Sequence, residues 1–217
     1  MSDILLHEVK DKTEIITFNI LEKLNVLSDQ MLELLTKALE KASRNSETKV
    51  VIIKSTGKAF CAGHDLKQMQ KARNSSDKGL GYFKDLFNRC SKVMLAINKL
   101  PKPVIAEVQG IATAAGCQLV ATCDIAVASK NASFGVNGVN IGLFCSTPMV
   151  ALSRNISRKK TFEMLATGDF LNAYQANEAG LINHVTEDNE LENKSKEIAS
   201  KITEKFKRVV KIGKEAF

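Results

Sequence analysis

The sequence has no apolar run that approaches the length needed to cross a bilayer. Its opening MSDI leads directly into fold-like sequence instead of a charged and then apolar leader. A membrane span and a secretory signal are therefore not expected, which leaves the cytoplasm, or the mitochondrial matrix if a targeting peptide has been removed. No CxxC pair occurs, and the five cysteines, at 61, 90, 117, 123 and 145, are odd in number. That pattern argues against a disulfide framework or a zinc cluster and for reduced, buried thiols. Histidines are few, and His7, His64 and His184 stand too far apart in sequence to nominate a metal site. Lysine and arginine outnumber the acidic residues 31 to 24, for a net charge of +7. The lysines are spread over helices and are not interleaved with aromatics, so nucleic-acid binding is not expected, whereas an anionic ligand is compatible with the charge. Internal repeats and low-complexity segments are also missing.

What is there fits one soluble core, or one core with a helical appendage: 217 residues, 44% apolar and 25% charged. Residues 14–20 read as a strand, and a break over 21–25 precedes a helix start at Ser28. Met31, Leu34, Leu35, Ala38, Leu39 and Ala42 keep helical spacing, and 49–55 follows as a buried strand. Strand, helix, strand in that order implies a parallel crossover. The run 57–66 then falls at the carboxyl end of a strand, where open α/β folds place ligands. Residues 71–79 read as a flexible loop and 80–97 as a long amphipathic helix. Further strands are expected at 104–108 and 125–129, one more extended segment from Phe134 with 139–142, and a helix start at Thr147-Pro148. Helices are expected over 158–167, 173–180 and 191–206.

The chain is organised around residues 101–148. There a strand runs into 111–116, almost free of side-chain bulk, and then into an apolar helix. Backbone N–H groups at such a helix start favour negative charge, resident or developing on a carbonyl oxygen, which is what acyl chemistry needs.

Three stretches, KAFCAGHDL (58–66), PVIAEVQGIATAAGCQLVATCDIAVAS (103–129) and LNAYQANEAGLINHV (171–185), together resemble the crotonase superfamily, the enoyl-CoA hydratase/isomerase group. The details GHDL, AAGCQL and GVNIGLFCSTP are similar to one of its subgroups. The resemblance implies an α/β, crotonase-like (ClpP/crotonase) fold of repeated ββα units with a helical C-terminal region. Residues 1–186 would be the core domain and 187–217 the start of that helical region, apparently shortened. It also implies a homotrimer or hexamer, with an acyl-CoA thioester as substrate and no permanently bound cofactor. Two backbone N–H groups hold the thioester oxygen in the family, and by position they belong to His64 and Ala115. Ala62, Gly63, Asp65 and Leu66 would meet the adenine end of the coenzyme, and Lys23 and Leu24 would contact it as well.

Departures from the family pattern bear on the chemistry. Its hydratases use two glutamates, and their positions are held here by Gln118 and Gly138. An amide is no general base at neutral pH and glycine has no side chain, so ordinary hydration is not expected. Gln118 orients a water, hydrogen-bonds a substrate, or is simply a polar residue on the pocket side of its helix. His64 reads as a loop histidine contributing its backbone N–H, and Asp65 as a residue that caps or ties the loop. Cys145 and Ser146 are nucleophile candidates without an evident triad partner; a buried thiol and a capping hydroxyl are the plainer readings. Three functions therefore stand side by side: an enzyme of acyl-CoA metabolism, a catalytically silent CoA-thioester-binding protein, and a thioester hydrolase using Ser146 or Cys145.

Overall fold

A computed structural model describes residues 4–217, so the opening MSD read above for a leader lies outside the described residues. In chain order the elements are β1 (Leu5–Lys10), β2 (Thr13–Phe18), α1 (Asp29–Arg44), β3 (Val50–Ser55), β4 (Ala59–Cys61), α2 (Leu66–Arg73), α3 (Leu80–Lys99), β5 (Val104–Val108), β6 (Ile111–Thr113), α4 (Ala115–Thr122), β7 (Ile125–Ser129), β8 (Ser133–Gly135), α5 (Ser146–Leu152), α6 (Arg158–Thr167), β9 (Phe170–Asn172), α7 (Ala173–Glu178), β10 (His184–Thr186), α8 (Leu191–Thr203) and α9 (Lys207–Ala216). β1 and β2 pair as an antiparallel hairpin, and β2, β3, β5, β7 and β10 then run parallel across one six-stranded sheet. The short strands β4, β6, β8 and β9 form a second sheet, parallel except for its last pair. Three successive strand pairs, β3/β4, β5/β6 and β7/β8, each give one strand to each sheet before the chain turns into a helix. This is the ββα repetition that the resemblance implied.

Local chemistry explains the element ends. The Ser28 hydroxyl accepts the Met31 N–H and starts α1, whose apolar stripe from Met31 to Ala42 is buried. Asp65 accepts from the N–H groups of Lys67 and Gln68, so it caps α2. The expected flexible loop at 71–79 is corrected: α2 extends through Arg73, and Asp77 gathers the Ser75 hydroxyl and the N–H groups of Gly79 and Gly81 into a tied turn. The expected extended segment at 139–142 is a 3₁₀ turn over Asn137–Ile141, closed by Leu143 N–H donating to the Gly138 carbonyl, with Gly142 left-handed at φ 74°. Ile111–Thr113, read as part of a turn, is strand β6, and Pro148 is the third residue of α5, not the first. α8 lies on the outer face of the six-stranded sheet, where Leu191 and Ala199 pack with Val50, Ile52, Ile105 and Val127.

A polar knot is buried at the amino end of that sheet, away from the small-residue turn. Glu14 accepts from His7, Asn45 and Thr48. Burial raises its pKa, but the hydrogen bonds from His7, Thr48 and Asn45 outweigh that and hold the carboxyl below the ordinary glutamate value. Lys102 is only 1% exposed and donates to the Thr48 hydroxyl at 2.6 Å, the Asn45 carbonyl at 2.7 Å and the Ala42 carbonyl. Burial pushes this amine down to about 8, with the Glu14 charge pulling it back up. The cation caps the C-terminal carbonyls of α1 from the inside. Lys102→Met strips their donor, and a loss of about 2 kcal/mol is expected. A scanning calorimeter should read roughly 4–8 °C off the melting temperature; an unchanged melting temperature would show that the knot carries no stability.

Candidate functional site

At the carboxyl end of the parallel strands, two turns from separate ββα units are pressed together. The upstream turn follows β4 and contains Ala62, Gly63 and His64. Gly63 is at φ 88°, and a methyl group added to it would meet the Ala114 Cβ at 3.0 Å, the Thr113 carbonyl at 3.1 Å and the Ala115 nitrogen at 3.3 Å. In the downstream turn Ala114 takes φ 50°, ψ −120°, which lets α4 begin at Ala115. A methyl group on Gly116 would overlap the Cys61 carbonyl oxygen. Only glycine permits these backbones to approach so closely.

Two backbone donors are left over at this junction. The N–H of Ala115 is the first of α4, where no intrahelical acceptor exists. Among the described residues no group accepts the His64 N–H either: the neighbouring strand segment engages Gly63 instead, with Leu27 N–H on the Gly63 carbonyl at 2.7 Å. The segment 24–27 is laced to the same turn, since Ala62 N–H donates to the Leu24 carbonyl at 3.0 Å. Leu24 therefore lies beside Ala62, with Lys23 just before it in the chain. The tie that holds them is Asn25, fully buried and left-handed at φ 54°, which donates to the carbonyls of Thr56 and Ala59 and accepts from Ile20 N–H. Its role was not read from the sequence, where an asparagine in a polar break looks like any turn residue; the only available signal was its place next to a strand end.

His64 is a correction. Its ring is not a loop side chain in water; both nitrogens are buried without a hydrogen-bond partner, and the ring meets Phe87 of α3 edge-on at 5.7 Å. Burial pushes the imidazole below the ordinary histidine value, with the backbone of Leu27 close enough to the ring to pull the other way. Gln118 lies on α4 one turn beyond Ala115, 7% exposed, with its Oε1 unpartnered. It opens onto a cleft of about 550 Å³ between α3, α4, α5 and α9, lined also by Ser91, Met94, Thr147 and Val150.

Gly138, Cys145 and Ser146 belong to the next unit. Thr113 Oγ1 donates to Asn137 Oδ1 at 2.7 Å, which ties the end of β6 to the 3₁₀ turn. Gly138 is buried beneath Leu143 and Cys145, and a side chain there would sit 2.8 Å from Cys145 Sγ and overlap the Leu143 carbonyl. Burial pushes the Cys145 thiol up, partly offset by the Gly138 backbone, so it is protonated at neutral pH. Ser146 is exposed as the first residue of α5, and neither residue hydrogen-bonds to a histidine or carboxylate among the described residues. Gly63, beside Ala62 and His64, packs against Ala114 and Ala115, with Gln118 one helical turn further along α4, while Asp65 and Leu66 lead away into α2.

Comparison with known proteins gives the family. A family model described as enoyl-CoA hydratase/isomerase matches residues 8–217. The chain is 44% identical over 216 residues to enoyl-CoA hydratase domain-containing protein 3, mitochondrial, of Danio rerio, covering 100% of this chain and 73% of the relative. It is 45% identical over 196 residues to the Homo sapiens protein of the same name, covering 90% of this chain but 63% of the relative, so it spans less than two thirds of the human protein's length. Among solved structures, an enoyl-CoA hydratase of Mycobacterium smegmatis superposes with a TM-score of 0.94 at 47% identity, covering 99% of this chain and 82% of that one. The structure of the human domain-containing protein 3 gives 0.92 at 43%, covering 98% and 82%. Domain-containing protein 3 is the subgroup that GHDL, AAGCQL and GVNIGLFCSTP resembled.

Proposed function

The chain belongs to the enoyl-CoA hydratase/isomerase family and has its crotonase fold, and from that premise we propose that it binds an acyl-CoA thioester without hydrating it. The thioester oxygen would lie between the N–H groups of His64 and Ala115, two fixed donors that strengthen as charge builds on that oxygen. The observation that carries this reading is the junction of the two glycine turns, where Gly63 packs against Thr113, Ala114 and Ala115 and neither donor has an acceptor among the described residues. Lys23, Leu24, Ala62, Gly63, Asp65 and Leu66 would receive the nucleotide end of the coenzyme. Loss of hydration follows from chemistry: addition of water to an enoyl thioester needs a base to deprotonate the water and an acid to protonate carbon, and neither Gln118 nor Gly138 can exchange a proton at neutral pH. The thioester-hydrolase alternative draws no support, since Cys145 is a buried thiol whose pKa burial raises and no histidine or carboxylate hydrogen-bonds to Ser146 among the described residues. A trimer or hexamer belongs to the same proposal, as does a mitochondrial location, a compartment named for the vertebrate relatives.

Thermal unfolding of the chain with and without butyryl-CoA tests the binding. At 100 times the dissociation constant the ligand adds about 2.7 kcal/mol, a rise of roughly 5–10 °C. No shift with any CoA ester would sink the reading. Mass spectrometry of crotonyl-CoA incubations should find no hydrated product, and steady turnover would overturn the silent chemistry alone.

A further inference from the structure

Among the α-helices of the described residues, α9 alone has no buried residue. Lysines set its place instead of a core. Lys49 Nζ donates to the carbonyls of Thr203 and Lys205 at 2.6 and 2.9 Å, just ahead of the helix. Lys207 Nζ donates to the Ser46 carbonyl at 2.7 Å, and Lys214 Nζ to the carbonyls of Ile97 and Lys102 at 3.0 Å and to Asp124 Oδ2 at 2.6 Å. Ser46 precedes β3, Lys102 precedes β5 and Asp124 precedes β7. α9 therefore lies across the amino ends of the parallel strands, at the opposite end of the sheet from the two glycine turns.

That seating fixes what the helix shows to solvent. Lys207, Val210 and Lys214, spaced three and four apart, face the body and are half-buried. On the other side Val209, Ile212 and Ala216 are exposed at the same spacing, Val209 at 68% and Ile212 at 53%. Phe206, at the start of the helix, is 84% exposed. Lys205, Arg208 and Lys211 are exposed beside this stripe, and over 204–217 five cations stand against two carboxylates. Lys12, Lys41, Arg44 and Lys99 share this end of the sheet, and Asp11 and Glu47 offset them only in part.

Exposed aliphatic and aromatic side chains on the outer face of a helix, with cations on its flanks, match the boundary of an anionic bilayer. The stripe enters the acyl boundary while long basic side chains reach the lipid phosphates. A second copy is a poorer match, because two such faces pressed together set the same cations against each other. No helix of the described residues is long and apolar enough to cross a membrane, so attachment here means lying on the surface.

We propose that α9 docks the chain peripherally on an anionic phospholipid bilayer, with Phe206, Val209 and Ile212 inserted and Arg208 and Lys211 on the lipid phosphates. The candidate site, at the other end of the strands, then faces the aqueous phase. The proposal is independent of the CoA-thioester reading, and its test uses no CoA ester.

Co-sedimentation of the full chain with phosphatidylcholine vesicles, and with vesicles in which about a third of the lipid is phosphatidylserine, tests it. The chain should partition onto the anionic vesicles about tenfold more strongly or better than onto the neutral ones, and that preference should fade as salt rises to about 1 M. Arg208→Gln with Lys211→Gln should weaken the partition about fivefold per charge removed. Val209→Ser with Ile212→Ser should weaken it about tenfold or more. Circular dichroism checks that both double variants stay folded, as exposed positions allow; should one fail, the lipid and salt dependence of the wild-type chain still decides. No pelleting with either vesicle, equal partition onto both, or a partition that survives both double variants overturns the proposal. A dimer in solution that Val209→Ser with Ile212→Ser dissociates would assign the face to a second copy and overturn it as well.

Discussion

Gly116→Ala is expected to abolish the proposed thioester binding and to destabilise the chain by about 3 kcal/mol, where the same change at Gly213 has the opposite sign. The added methyl at 116 lands on the Cys61 carbonyl oxygen and lies 2.8 Å from both the Cys61 carbonyl carbon and its Cβ. Backbone cannot move aside as a flexible side chain can, so the 61–64 and 113–116 turns must separate. The His64 and Ala115 donors part with them, and a site that depends on two donors meeting one oxygen loses its geometry. Gly213 lies exposed in α9 with nothing within 4 Å of a built Cβ, so alanine there removes only the flexibility of the unfolded chain. That change is expected to add about 0.5–1 kcal/mol. Calorimetric melting combined with titration of butyryl-CoA reads both. An affinity within twofold of wild type in Gly116→Ala would show that the junction of the two turns does not form the site.

Gly138→Glu is expected to lower the melting temperature by roughly 8–16 °C, a loss of about 4 kcal/mol from steric overlap and a buried carboxyl together. On family pattern alone this substitution would restore half of a missing glutamate pair. The space it would need is occupied by the Leu143 carbonyl and the Cys145 sulfur, and the turn that puts them there is locked by Leu143 N–H on the Gly138 carbonyl and by Thr113 on Asn137. Gln118→Glu, by contrast, changes no volume and should fold, with its new carboxyl kept protonated more than usual by burial. Hydration of crotonyl-CoA is therefore expected from neither single variant nor from the pair. A Gly138→Glu protein that melts like wild type would mean the turn can reopen, and the pair would then be worth assaying for gain of activity.

Most of the long elements were legible because their periodicity is strong. The α1 stripe, the α3 stripe and α6 lie where the spacing of leucines, phenylalanines and methionines puts them, and α1 begins at the Ser28 cap. The four strands of the second sheet are three residues each, too short to show a period of two, so β4 and β9 went unread and β6 passed for a turn. The 3₁₀ turn at 137–141 overlaps a stretch, 139–142, that looked extended because valine and isoleucine favour strands, and a hydrogen bond closing on Gly138 overrode that preference.

By itself the sequence determined the α/β class and, through its resemblance, the family with the ββα repeats that the family implies, because spacing and residue type survive in one dimension. Only the tertiary structure decided that Lys102, between two prolines, is a buried cap; that Gly138 has no room for a side chain; and that His64 turns its ring inward, unpartnered, onto Phe87. Each of these depends on which atoms from distant parts of the chain arrive within a few ångströms, and contacts between residues that far apart leave no trace in local pattern.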